Sequence, residues 1–286
     1  IGISKDIINT IEPDVKINLK NEWVTKIVWP KIDDHKYSRG YSLIIGGPKD
    51  MTGASRLAAM SAQRAGSGIV ALATEKEAAE IYFISLTSQL VKTYKNIKEY
   101  NTIINESRID SIVIGPGLDI SSKSILKIKS ALKTNKRIVL DAGAISCFKN
   151  KLEIFVKILS GKDVIITPHE GELKSILPNL TGNLISKALK AAKILNTIVV
   201  LKGATTIIAS PNNKAFVNTA GAKWLATAGS GDVLAGIIGG LLSNKMETFY
   251  AAAYGVWLHS ESGKYLGPGL IADDIPKILP KILKNV

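Results

Sequence analysis

The sequence predicts an α/β fold in three layers: a mostly parallel central sheet with helices on both faces. Three observations predict it. Short apolar runs of strand length alternate with helical patterns, which implies parallel strands joined by helical crossovers. Each run ends in a glycine-rich or polar loop, and ligands of such sheets lie beyond the carboxyl ends of the strands. Hydrophobic residues make up 46% of the 286-residue chain, ample for a core on both sides of a sheet.

Tyr41–Gly47 (YSLIIGG) is a strand ending in glycines, and Gly53–Gly66 is an Ala-rich helix with Gly66 as its stop. Ser67–Thr74 (SGIVALAT) is a second strand. Ile109–Gly117 (IDSIVIGPG) and Lys136–Ala144 (KRIVLDAGA) are buried strands that meet glycine or polar turns. Lys162–Leu173 (KDVIITPHEGEL) and Asn196–Ile208 (NTIVVLKGATTII) repeat that pattern, and Lys214–Gly221 reads as a short edge hairpin with the segment before it. Three helices close the domain: Asp232–Leu242, Glu247–Lys264 and one from Asp274. The first is unusual. Ten uncharged residues follow Asp232, and Gly236, Gly239 and Gly240 among them lower helix propensity, so close packing is expected there.

The formal net charge is +13. The lysines are scattered, and no basic helix with interleaved aromatics is present, so nucleic acid is not an expected partner. An anionic small molecule uses the same charge. No apolar run approaches the roughly eighteen residues of a membrane span, so no membrane partner is expected. The single cysteine, Cys147, excludes an internal disulfide. With no signal pattern at the start, a reducing, cytoplasmic setting is expected.

The chemistry-bearing segments fall at the strand ends. GGPKDMTGAS joins a strand to a helix start and contains Ala54. GPGLD contains Gly117, TPHEGEL contains His169, and LKGATT runs over Lys202, Gly203, Ala204, Thr205 and Thr206. TAGSGD then places Gly229, Ser230 and Gly231 before Asp232. A glycine turn entering a helix presents free amides to an anion. Taken alone, Asp232 is either a cap of its helix or the base of such a site.

As an ordered set these segments resemble the ribokinase-like superfamily and, within it, the ADP- or ATP-dependent NAD(P)H-hydrate dehydratases. The motifs that match are GGPKDMTGAS, GPGL, TPHEGE, KGATT, LATAGSGDVLAG and GLIADDI, over roughly Val28 to Pro280. The resemblance implies a ribokinase-like three-layer sandwich that repairs hydrated NADH and NADPH. A ring hydroxyl is phosphorylated by ADP or ATP with Mg²⁺, and loss of phosphate restores the double bond. Lys202, Gly203, Ala204, Thr205, Thr206, Gly229, Ser230 and Gly231 would line the nucleotide. Ala54, Gly117, His169 and Asp232 would contact the hydrated dinucleotide, with Asp232 as the catalytic base; no residue is assigned to a metal. The resemblance also implies a homo-oligomer, with a tetramer among the forms. IGIS resembles the last strand of the epimerase domain fused to this dehydratase in many bacterial proteins. Residues 1–27 are therefore expected to be an N-terminal segment, the tail of an epimerase domain, and residues 28–286 the dehydratase domain.

The sequence departs from the family at four places, one of them Met51, where an aromatic is common. The acid expected second in the LDAD strand end is Gly143, the GNPG segment reads Gly221, Ala222, Lys223 and Trp224, and Lys264 stands where an Asp is common. Two alternatives therefore stay open: a kinase of a small alcohol or vitamin precursor, and a catalytically impaired nucleotide-binding domain. His259 has no matched role and reads as a core or edge histidine.

Overall fold

The computed structural model describes residues 14–219 and 223–286. Their strands form one sheet: β1 (Val15–Ile17), β2 (Tyr41–Ile45), β3 (Ile69–Glu75), β4 (Leu90–Tyr94), β5 (Ser111–Ile114), β6 (Arg137–Leu140), β7 (Val164–Ile166), β8 (Ile198–Leu201), β9 (Thr206–Ala209) and β10 (Ala215–Asn218). The spatial order is β1-β10-β9-β8-β7-β6-β5-β2-β3-β4. Strands β2 to β8 pair in parallel, and β9 runs antiparallel to β8 and β10. The direction of winding reverses between β2 and β5, and open α/β sheets place their ligand crevice at such a reversal.

The helices are α1 (Thr52–Arg64), α2 (Ala79–Ser85), α3 (Ile97–Ile104), α4 (Ser122–Leu132), α5 (Ala142–Ser146), α6 (Leu152–Leu159), α7 (Glu170–Ile176), α8 (Leu184–Leu195), α9 (Ser230–Ser243), α10 (Thr248–Leu266) and α11 (Asp274–Leu283). Successive strand residues point to opposite faces, so an unbroken apolar run feeds two cores. Leu43 and Ile45 of β2 enter a core shared with Tyr100 of α3 and Ile128 of α4. Ile44 enters the other, with Ala58 of α1 and Ile237 of α9. No described helix is long and apolar enough to cross a membrane.

The glycines of α9 have a steric cause. A side chain at Gly236 would stand 2.2 Å from the Ala58 carbonyl oxygen, and one at Gly240 2.4 Å from that of Ala62. Helix α9 therefore lies nearly backbone to backbone on α1. A helical glycine costs about 1 kcal/mol against alanine, and this contact offsets it.

One expectation changes. The hairpin strand β10 is not an edge: β1 pairs with it in parallel, Val15 against Ala215 and Ile17 against Val217. Ahead of residue 28, Trp23 is fully buried and stacks on Tyr254 of α10 at 4.4 Å. Residues 1–13 and the 220–222 part of the hairpin lie outside the described residues.

Candidate functional site

A cavity of about 870 Å³ opens where β6, β7 and β8 end and α9 begins. Each element delivers its side chain for a local reason. Asp141 follows the last residue of β6. The β7–β8 ladder continues past the strands, with the Lys202 amide donating to the Pro168 carbonyl at 2.8 Å, so His169 and Lys202 lie side by side. Lys202 to Thr205 form the turn of the β8–β9 hairpin. Gly229, left-handed at φ 87°, turns the chain into α9 and brings Asp232 into the first turn. That helix end carries free amides and a positive partial charge.

The floor holds two carboxylates and one ammonium. Lys202 Nζ donates to Asp141 Oδ1 at 2.7 Å, and Thr167 Oγ1 donates to the same oxygen at 2.7 Å. Burial works against the Lys202 charge, yet the Asp141 carboxylate outweighs it and raises the ammonium above its ordinary value. Asp232 lines the same cavity, half-buried. Burial, and then the negative charge of Asp141, lift its carboxyl from 3.8 to about 6, while Lys202 pulls it down. Asp232 is therefore a stronger base than an ordinary aspartate and is still ionised at neutral pH.

His169 caps α7. Its Nδ1 accepts the Glu172 amide at 3.1 Å, and Glu172 Oε2 accepts the His169 amide at 2.9 Å. The rest of the ring stays exposed to the cavity and to a second hollow of about 470 Å³ bordered by Lys149, Asn150 and Lys151. His259 is buried in α10 with Nε2 3.0 Å from Ser230 Oγ, and burial pushes its imidazole down to about 4. It is neutral beside the helix end.

Of the residues singled out in the sequence, His169, Lys202, Gly203, Ala204, Thr206, Ser230, Gly231 and Asp232 line the large cavity. Thr205 and Gly229 shape its turns without lining it. Ala54, in the first turn of α1, and Gly117, in the loop after β5, stand apart. They touch each other: a Cβ on Gly117 would lie 3.4 Å from that of Ala54 and 2.4 Å from the Met51 carbonyl oxygen. Gly117 is buried with φ 72°, so it serves loop geometry first. Gly143, where an acid was expected, has no room for one: a Cβ would lie 2.1 Å from the Leu118 carbonyl oxygen. Ala142 before it is left-handed at φ 41°, a strained conformation for alanine. The sequence reading missed Asp141 and His259. Asp141 stands in the quoted LDAGA segment, whereas His259 sits in a helix with no motif around it.

A family model described as NAD(P)H-hydrate dehydratase matches residues 42–281. The chain is 35% identical to the bifunctional NAD(P)H-hydrate repair enzyme of Dictyoglomus turgidum, over all of this chain and 59% of that protein. It is 31% identical to the ADP-dependent (S)-NAD(P)H-hydrate dehydratase of Xanthomonas campestris, over 88% of this chain and 90% of that one. The chain thus spans about half the length of the bifunctional relatives, 59% and 51% for two of them. Among solved structures it is similar to the Bacillus subtilis ADP/ATP-dependent NAD(P)H-hydrate dehydratase co-crystallised with ATP and Mg²⁺. The TM-score there is 0.82 at 26% identity, covering 95% of this chain and 98% of that one.

Proposed function

The chain belongs to the NAD(P)H-hydrate dehydratase family, and we propose that it restores hydrated NADH or NADPH by nucleotide-dependent dehydration. One observation carries this reading. Asp232 combines a helix N-terminus, a lysine held nearby and a proton affinity raised toward neutrality. That is what phosphoryl transfer from a nucleotide to a hydroxyl needs: a base at the attacking oxygen and fixed positive charge at the phosphoryl oxygens.

Asp232 takes the proton of the ring hydroxyl as its oxygen attacks the terminal phosphorus of ADP or ATP, and the bond from that phosphorus to its bridging oxygen breaks, releasing AMP or ADP. Lys202 and the first-turn amides of α9 stabilise the charge that develops. The C–O bond then breaks, its electron pair leaves with phosphate, and the neighbouring carbon gives up a proton to solvent while its C–H electron pair forms the double bond. Gly203 to Thr206 with Ser230 and Gly231 form the nucleotide side of the cavity. His169 faces the dinucleotide, and the hollow beyond it gives that long substrate somewhere to extend. Ala54 and Gly117 shape the loop beyond that hollow and are held for the dinucleotide by resemblance alone. No group of three or more His, Cys, Asp or Glu among the described residues forms a metal cage. Mg²⁺ would enter with the nucleotide and would supply charge neutralisation at its phosphates.

A homo-oligomer is part of this reading. Phe83 and Ile84 of α2 and Leu90 of β4 expose an apolar face at 58%, 89% and 52%. Light scattering would report the subunit number. A cytoplasmic setting and an epimerase that interconverts the two hydrates as working partner complete the proposal; the relatives named bifunctional support the second.

The test is direct. Protein with ADP or ATP, Mg²⁺ and hydrated NADH or NADPH should regain the near-ultraviolet absorbance of the reduced nicotinamide and release phosphate. Nucleotide at about 100 times its dissociation constant should add about 2.7 kcal/mol of stability, seen in the melting temperature. Phosphorylation of a small alcohol with the hydrates untouched would replace the dehydratase with a kinase. Nucleotide binding with neither reaction would leave an impaired domain.

A further inference from the structure

Asp141, Lys202 and Asp232 meet at the cavity floor, and of these two carboxylates Asp141 is buried while Asp232 is half-buried. Asp141 is 1% exposed, and its Oδ1 is taken by both Lys202 and Thr167, a residue itself fully buried. Lys202 is not spent entirely on that pair. Its Nζ lies 3.2 Å from where a Cβ on Gly231 would stand, so it reaches the turn that opens α9.

We propose that Asp141 is a positioning residue: by tethering Lys202 it keeps the ammonium beside the α9 turn and stops it from pairing with Asp232. The proposal rests on the dehydratase reading. A lysine is a point charge on a flexible stem, so its place is set by whichever carboxylate holds it. Without the Asp141 charge, two carboxylates remain near Lys202, Glu172 and Asp232. Glu172 is already engaged by the His169 amide. Asp232 is then the open partner. An ion pair there would neutralise the base just where the hydroxyl proton must go.

The groups around Asp232 come from several elements. Asp141 follows β6, Lys202 follows β8, and His169 and Glu172 flank the start of α7. His259 comes from α10 and Lys223 from the short turn before α9. His259 is neutral above about 4. Removing the Asp141 charge therefore lowers the proton affinity of Asp232 twice: a negative neighbour is lost, and a positive one moves closer. An opposite charge within about 4–6 Å lowers an aspartate by roughly 1–3 pH units.

Asp141→Asn tests this, because the amide keeps the shape and can still accept from Thr167. In the variant the acid limb of kcat/KM should move down by about one pH unit or more, and kcat should fall about tenfold or more. In a Lys202→Met background, Asp141→Asn should add less than about a twofold further loss, because its effect runs through Lys202. The Asp232 carboxyl, followed by carbon NMR and assigned by its loss in Asp232→Asn, should titrate lower in Asp141→Asn by the same amount. That readout needs no turnover, so it still tests the tether if the wild type proves inactive on the hydrates. Should Asp141→Asn fail to fold, Thr167→Val removes one of the two bonds that hold Asp141, and a smaller shift in the same direction is expected. An unmoved acid limb and an unmoved Asp232 titration in a folded variant would overturn the proposal. So would losses that multiply in the double variant.

Discussion

Asp232→Asn should make the protein more stable while removing most of its turnover. The carboxyl is lifted from 3.8 to about 6 in the folded state, chiefly by burial. Below about 4 it is protonated folded and unfolded alike, and the burial of charge costs nothing. Between about 4 and 6 the folded protein keeps a proton that the unfolded chain has released, and stability falls as pH rises. Above about 6 both states are ionised and the full cost is carried. At about 1.4 kcal/mol per pH unit the ceiling is about 3 kcal/mol. Partial solvent access lowers it, so about 1–3 kcal/mol is expected. Asparagine has the same shape and no charge, so the variant escapes that cost. For a chain of this size about 2 °C accompanies each kcal/mol, so the variant should melt about 2–6 °C higher at pH 8, with the gap closing toward pH 4.5. Turnover should fall roughly a hundredfold to ten-thousandfold. Melting curves at both pH values, with turnover measured on the same samples, decide it. A variant less stable than wild type at pH 8, or a gap independent of pH, would refute the reasoning from buried charge. Near wild-type turnover would reduce Asp232 to a helix cap.

Wild-type kcat/KM should fall on the acid side with a midpoint near 6, about tenfold per pH unit below it, because the reaction needs Asp232 ionised; a midpoint near 4 would mean that the free enzyme does not bury the group. Gly236→Ala should destabilise the protein by about 1–3 kcal/mol despite alanine's better helix propensity, since the new methyl would stand 2.2 Å from the Ala58 carbonyl oxygen; denaturant unfolding should show the midpoint fall. Gly117→Val should act on folding before substrate, because it meets a left-handed φ of 72° and the Met51 carbonyl oxygen at 2.4 Å; a fully stable variant impaired only in substrate binding would return Gly117 to the groove wall.

The sequence by itself determined the layers and the place of the chemistry. Short, mostly apolar runs such as Tyr41–Ile45, closed by glycines, suit strands buried on both faces, and helical patterns between them imply parallel pairing. The glycine turn ahead of Asp232 marked an anion site because helix ends expose amides whatever surrounds them. These are local properties, written within a few residues. The tertiary structure decided what those residues do to one another. Asp141 and Lys202 are 61 positions apart and meet only because β6, β7 and β8 lie side by side. Ser230 and His259, 29 apart, meet because α9 and α10 pack on one face of the sheet. Gly143 looked like a lost acid until the Leu118 carbonyl proved to fill its space. The proton affinity of Asp232 has the same origin. Burial and a charge from another strand end set it, and both depend on distances in space that no local pattern encodes.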